Sequence, residues 1–250
     1  MKTGLVSVSF RKLTVEEIIA ATKDAGLDGV EWGGDVHVPH GDVEKAEYVA
    51  KLMKEAGLET FSYGSYFRVG DTPVEDFRGV IDCARALGTN VIRIWGGTMS
   101  PEKMTEEYRA KLIADTKVIC DMAKEHGLIV AYECHPDTIT ETLDSAMLAI
   151  KEVGKENMGT YWQPTAVLTT EENIHVLTQV LPYAYNLHVF VWDKDFKRYT
   201  LEEGEAVWTR YIDIAKTNPQ IKAAMLEFIK ENSLEQMKLD AATLNKMVKG

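Results

Sequence analysis

Five helix-like stretches of the chain close on a glycine and give way within a few residues to an apolar run: Gly26-Leu27, Gly57-Leu58, Gly88-Thr89, Gly127-Leu128 and Gly154-Lys155. Glycine is favoured just past a helix because that position often takes a positive φ. The steps from Gly26 to Gly57 and from Gly57 to Gly88 are both 31 residues, which suits one strand-helix unit. Helix starts are legible too. Thr14 with Glu17, Thr72-Pro73 with Glu75, and Ser233 with Gln236 match the capping box, and Ser100-Pro101 opens a long fourth helix ending near His126. The apolar runs predict strands at about 4–9, 28–32, 59–63, 90–95, 128–133, 158–163, 184–191 and 222–228. Strands alternating with helices imply parallel pairing, and eight of them imply closure. The expectation is one domain over residues 1–250, a single (β/α)8 TIM barrel of the α/β class.

Side chains alternate faces along a strand, so register decides which polar groups meet. Val91, Arg93 and Trp95 share a face, as do Ile129, Ala131 and Glu133, Asn186, His188 and Phe190, and Ala223, Met225 and Glu227. The alternate sets, Ile92 and Ile94 or Ala224, Leu226 and Phe228, are apolar and suit packing under helices. The charged sets therefore point into the barrel. They fall at the C-terminal ends of the strands, where active sites of this architecture lie.

Apolar runs that end in Glu31-Trp32, Arg93 and Trp95, Glu133 and His135, His188, and Glu227 end in groups a hydrophobic core would not choose. Two carboxylates with one imidazole make a site for Mn2+, Mg2+, Co2+ or Zn2+, whose charge polarises a carbonyl or a pair of hydroxyls. The same Glu side chains can move protons to and from the carbon beside that carbonyl. The competing structural reading makes Glu133 and Glu227 buried ion-pair partners of Arg93, and His135 a hydrogen-bonding neighbour. Trp32, Trp95, Trp162 and Trp192 lie at or just past strand ends, with Tyr63, Tyr66 and Phe67 near the third. Flat rings stack on the C–H faces of sugars, so the four tryptophans together favour a pocket, although any one of them can simply cap the core. Arg68, Arg93, Lys194 and Arg198 offer charge for phosphate or carboxylate, with no Gly-rich cradle beside them.

Composition narrows the partners. The chain has 250 residues, 45% hydrophobic and 27% charged, with a net charge of -11, which argues against a nucleic-acid backbone and suits a small substrate. No apolar stretch approaches the roughly 20 residues of a membrane span. Cys83, Cys120 and Cys134 lack metal-ligand spacing and read as reduced packing residues of a cytoplasmic protein. A homo-oligomer is left open.

The succession GLDGVEWGG, ALGTNVIRIWGG, HGLIVAYECHPDTITET, NLHVFVW and MLEF, followed by a helix beginning SLEQ, resembles the xylose isomerase-like TIM barrels of the sugar phosphate isomerase/epimerase superfamily along nearly the whole chain. The resemblance implies a divalent metal ion, Mn2+ foremost, and Glu ligands at Glu133 and Glu227 that double as the catalytic proton-transfer pair. It implies a His ligand at His188 and substrate-side roles for His37, His135 and Lys194. Tyr63, Arg93, Trp95, Trp162 and Trp192 complete the expected carbohydrate pocket. Where many such epimerases carry an Asp with a His three residues later, this chain reads Tyr161-Trp162-Gln163-Pro164-Thr165-Ala166. Gln163 then offers a neutral carbonyl oxygen as the fourth metal ligand, and the formal ligand charge is -2 rather than -3. A metal-dependent isomerase or epimerase is the first reading. A lyase or dehydratase of a keto-sugar, inosose or keto-glycoside on the same site is the alternative, and a non-catalytic sugar-binding barrel is the third.

Overall fold

The computed structural model describes residues 1–250. Its strands are β1 (Lys2–Val6), β2 (Gly29–Gly33), β3 (Glu59–Val69), β4 (Val91–Gly96), β5 (Ile129–Tyr132), β6 (Met158–Trp162), β7 (Ala184–Val189), β8 (Val191–Trp192), β9 (Arg198–Tyr199) and β10 (Ala223–Leu226). Its helices are α1 (Val15–Asp24), α2 (Val43–Ala56), α3 (Phe77–Leu87), α4 (Glu106–Lys124), α5 (Leu143–Val153), α6 (Thr170–Val180), α7 (Glu205–Ala215) and α8 (Leu234–Lys249). Eight strands close in the order β1-β10-β7-β6-β5-β4-β3-β2, and β8 and β9 form a separate two-stranded hairpin. Every pairing in the barrel is parallel, so the chain is a single (β/α)8 TIM barrel.

The glycine punctuation marks the helix ends it was read to mark. Gly57, Gly88 and Gly154 terminate α2, α3 and α5 in the left-handed region, where a side chain is strained. Thr14 and Glu17 close a full capping box on α1, and Ser233 accepts from the Gln236 amide at the start of α8. Two helix starts lie later than their sequence signals. Thr72-Pro73 leads only into a short 3-10 turn, and α3 begins at Phe77 with no side-chain cap. Ser100-Pro101 opens another such turn, and the cap of α4 is Thr105, whose hydroxyl accepts from the Tyr108 amide. In both places proline fixes one turn before the helix proper begins, with a capping hydroxyl at Thr105 and without one before Phe77.

The strand faces sort as alternation requires. Val6, Phe61, Val91, Ala131, Tyr161, Ala223 and Met225 fill the barrel interior, while Ile92, Ile94, Ala224 and Leu226 join the larger core beneath the helices. Phe228 departs from its expected place under the helices. Its φ of 53° takes it out of the strand geometry, and its ring lies against Phe190 and Trp192 on the mouth side.

Candidate active site and metal centre

The donor atoms of Glu133, His188 and Glu227 all lie within 4.8 Å of one another, and the three residues are buried. Parity puts them there. His188 is opposite Met225 in the β7–β10 ladder and shares its inward face, while Glu133 and Glu227 follow the last residues of β5 and β10. Both Glu backbones stay tied to the sheet: the Glu133 amide donates to Ile94 O at 3.0 Å, and the Glu227 amide to Val189 O at 2.9 Å. His188 Nδ1 is 3.4 Å from Glu133 Oε1 and 3.4 Å from Glu227 Oε2. Gln163 brings its amide oxygen to 3.0 Å from the same Nδ1, and its amide nitrogen donates to Cys134 O at 2.9 Å, which fixes which end faces inward.

Glu31, seen in sequence as an anomalous strand end but given no role, completes the cluster. Its Oε1 accepts from Arg93 Nε at 2.9 Å, its Oε2 from the Ser62 hydroxyl at 2.7 Å, and Oε1 is 3.4 Å from His188 Nε2. Arg93 also donates to Glu133 Oε2, which Trp95 Nε1 shares. One oxygen of Glu133 is thus committed to Arg93 and Trp95, and the other faces Nδ1. Arg93 is therefore a buried bridge between two carboxylates, with Nη2 left without a hydrogen-bond partner.

Burial opposes ionisation of all these groups, and their mutual charges decide the outcome. Burial raises the Glu133 carboxyl, but Arg93 and His188 outweigh it and hold the group well below its ordinary range. The Glu31 carboxyl is likewise pulled far down by Arg93 and His188 against burial. Glu227 has burial and the like charge of Glu133 against it, only partly offset by His188, and is pushed up. Burial alone would depress His188, yet Glu227 and Glu31 raise it to about 10. Glu227 Oε2 and His188 Nε2 are both buried with no hydrogen-bond partner. Nε2 faces Glu31, so the orphan on the Nδ1 side is Glu227 Oε2, a buried acceptor beside Glu133 and the imidazole that a divalent cation would complete. The residues fit such an ion, with Glu133 Oε1, Gln163 Oε1, His188 Nδ1 and Glu227 Oε2 as the donor set.

Around this cluster the structure divides the expected pocket residues. Trp95 lies at the mouth with His135 stacked at 4.1 Å between ring centroids. Trp192 lies there too, against Phe190 and Phe228 at 4.7 and 4.5 Å. Tyr63 and Trp162 turn the other way. Tyr63 is fully buried in the outer core and donates to Val38 O at 2.7 Å, and Trp162 packs edge-on against Trp208 and Tyr211 of α7. Adjacent residues on a strand cannot share a face, so Gln163 and Tyr161 inward require Trp162 outward. His37 is buried beside Trp32, with Nδ1 3.0 Å from Ser7 Oγ and Nε2 3.2 Å from Leu13 O, so it braces the β2 loop. Lys194 is 76% exposed at the tip of the β8–β9 hairpin and pairs with Asp195.

The chain matches the xylose isomerase-like TIM barrel description over residues 19–244. It belongs to that family. A curated relative, the 3-dehydroshikimate dehydratase of Bacillus anthracis, is 25% identical over 167 residues, which cover 63% of this chain and 60% of that protein. Among solved structures, the probable 3-DHS dehydratase of petrobactin synthesis from Bacillus anthracis superposes with a TM-score of 0.83 at 20% identity, covering 98% of this chain and 99% of that one. The D-allulose 3-epimerase of Methylomonas sp. gives 0.74 at 15% identity over 99% and 98%. At these identities the structural likeness speaks to the fold. No helix of the chain is long and apolar enough to cross a membrane.

Proposed function

We propose that this family member is a metal-dependent enzyme that removes a proton beside a carbonyl of a small hydroxylated substrate and expels the hydroxyl from the next carbon, that is, a dehydratase. The observation that carries the first step is the convergence of Glu133 and Glu227 on one nitrogen of His188, each 3.4 Å from Nδ1, with their acidities driven apart. Two carboxyls so divided supply a fixed charge and a proton-transfer group. A divalent cation bound by Glu133, Gln163, His188 and Glu227 would polarise the substrate carbonyl and so acidify the adjoining C–H bond. Arg93 and Trp95 hold Glu133 in place and ionised. Glu227, the more basic carboxylate, takes the proton. The electron pair left on carbon forms the new double bond as the neighbouring C–O bond breaks, and the departing hydroxide leaves as water with the proton that Glu227 holds. The β-elimination outcome is supported by the likeness of the chain to a dehydratase in both sequence and fold.

Epimerisation or isomerisation is the second reading, supported by the two carboxyls flanking one site and by the fold shared with an epimerase. In that case the proton returns to carbon and no water is lost. Incubation of the Mn2+-loaded protein with cyclic β-hydroxy ketones and with ketohexoses, followed by NMR, separates the two. A new alkene signal with loss of one water supports dehydration, and deuterium incorporation from D2O without elimination supports the second reading.

A further inference from the structure

Most of the positive charge near the barrel mouth is already in use. Arg11 donates to Asp35 at 2.9 Å, to Val8 O at 3.2 Å and to the Tyr66 hydroxyl at 3.0 Å. Arg93 pairs with Glu31 and Glu133 and keeps only its buried Nη2 unpaired, Lys194 pairs with Asp195, and Arg198 donates to Ile229 O and Asn232. Arg68 is different. Its guanidinium makes no hydrogen bond and no ion pair, and its central carbon sits 3.9 Å over the Trp95 ring. Two groups this near one centroid cannot share a face, so Arg68 and His135 sandwich Trp95. Arg68 is opposite Trp95 in the β3–β4 ladder, and its carbonyl accepts from the Asp71 and Thr72 amides, so its backbone is held where the guanidinium meets the ring. The acidic group nearest in sequence, Asp71, is taken by the Tyr108 and Thr98 hydroxyls.

A stacked guanidinium presents its N–H edge, and an unpaired one in a protein of net charge -11 is a specific exception to the surrounding field. The charge sum points the same way. Glu31, Glu133 and Glu227 against Arg93 and a divalent cation give zero, so Arg68 leaves the loaded site at +1, which one monoanionic substrate neutralises. We propose that Arg68 is the specificity residue of this site, and that the substrate carries a carboxylate which Arg68 grips while its carbonyl end lies against Glu133 and Glu227. The proposal rests on the functional reading above and names its substrate class. A carboxylate suits a single planar fork. A phosphate would call for further donors, yet the neighbouring Gly97 and Thr98 amides already donate to Trp95 O and to the Tyr108 hydroxyl. Trp95 joins the two ends, since its Nε1 donates to Glu133 while its face carries Arg68.

The test uses the full-length protein loaded with Mn2+ and two probes that differ only by the acid group, 3,4-dihydroxybenzoate and catechol, with binding read by calorimetry. Wild type should bind the acid roughly 10- to 100-fold more tightly than catechol, as for a charge-assisted bidentate contact. Arg68→Gln should bring the acid down to the catechol level, and Arg68→Lys should retain part of the difference. Mn2+ affinity, measured on each variant, should stay at the wild-type value and report that the site is intact. Equal binding of the two probes by wild type, or a preference that survives in Arg68→Gln with Mn2+ affinity intact, overturns the proposal. Stronger competition by phenyl phosphate than by benzoate overturns it in favour of a phosphorylated substrate. Failure of both probes to bind the loaded wild type overturns this proposal alone, whereas failure of the wild type to bind Mn2+ overturns the functional reading and this proposal with it.

Discussion

Glu31 Oε1 lies 3.4 Å from His188 Nε2 and accepts from Arg93 Nε at 2.9 Å, so one buried carboxylate faces both the imidazole and the guanidinium of the site. With Nε2 turned to Glu31, the ring presents Nδ1 to Glu133, Gln163 and Glu227. A carboxylate behind a metal-binding imidazole fixes its tautomer and raises its basicity. Glu31→Gln should therefore weaken Mn2+ binding by roughly 10- to 100-fold, measured by calorimetry beside a thermal melt that shows the protein folded. Unchanged affinity would reduce Glu31 to a counter-ion for Arg93.

Gln163→Asp adds a negative charge where the amide oxygen lies 3.0 Å from His188 Nδ1. Charge-charge attraction in a partly dry site exceeds that of an amide dipole, so Mn2+ binding without substrate should tighten. Turnover need not rise, because a better-neutralised cation polarises the carbonyl less. If affinity is unchanged and only KM increases, Gln163 faces substrate instead of metal.

The barrel was legible because its signals are local and repeated: glycine at helix ends, Thr14 and Ser233 at helix starts, and alternation that put Val91, Ala131 and Met225 inside. The convergence of Glu133, His188, Gln163 and Glu227 was legible from the same alternation together with the family resemblance. The aromatics were not, because proximity to a strand end says nothing of which way a ring points. Trp162 and Tyr63 follow strict parity outward, whereas Phe228 breaks it through a positive φ that no sequence pattern announced. Glu31 showed as a charge in an apolar run, but only the fold brings β2 within reach of β7.

Trp162 therefore serves packing. Trp162→Phe should lower stability by about 1–3 kcal/mol in a denaturant titration and leave Mn2+ affinity unchanged. A loss of metal binding at full stability would return this residue to the site.

Acid sensitivity should have a component from His37. Burial first, with help from Arg11, depresses its pKa against the Leu13 carbonyl and Asp35, so the folded state holds fewer protons on this ring than the unfolded state. Its stabilisation is then complete above the unfolded value of about 6.5 and declines as pH falls below it toward the folded value. Metal-free wild type should lose Tm more steeply than His37→Gln between about pH 6.5 and 5.5. Parallel slopes would contradict the neutral, buried ring.

The proposed chemistry turns on proton transfer at Glu227 beside a divalent cation. It is tested most directly by following a cyclic β-hydroxy keto acid by NMR in D2O with Mn2+-loaded wild type, chelated wild type and Glu227→Gln. Elimination, or deuterium exchange beside the carbonyl on the second reading, is expected in the loaded wild type alone. Full turnover in excess chelator, or undiminished turnover in Glu227→Gln, would contradict it.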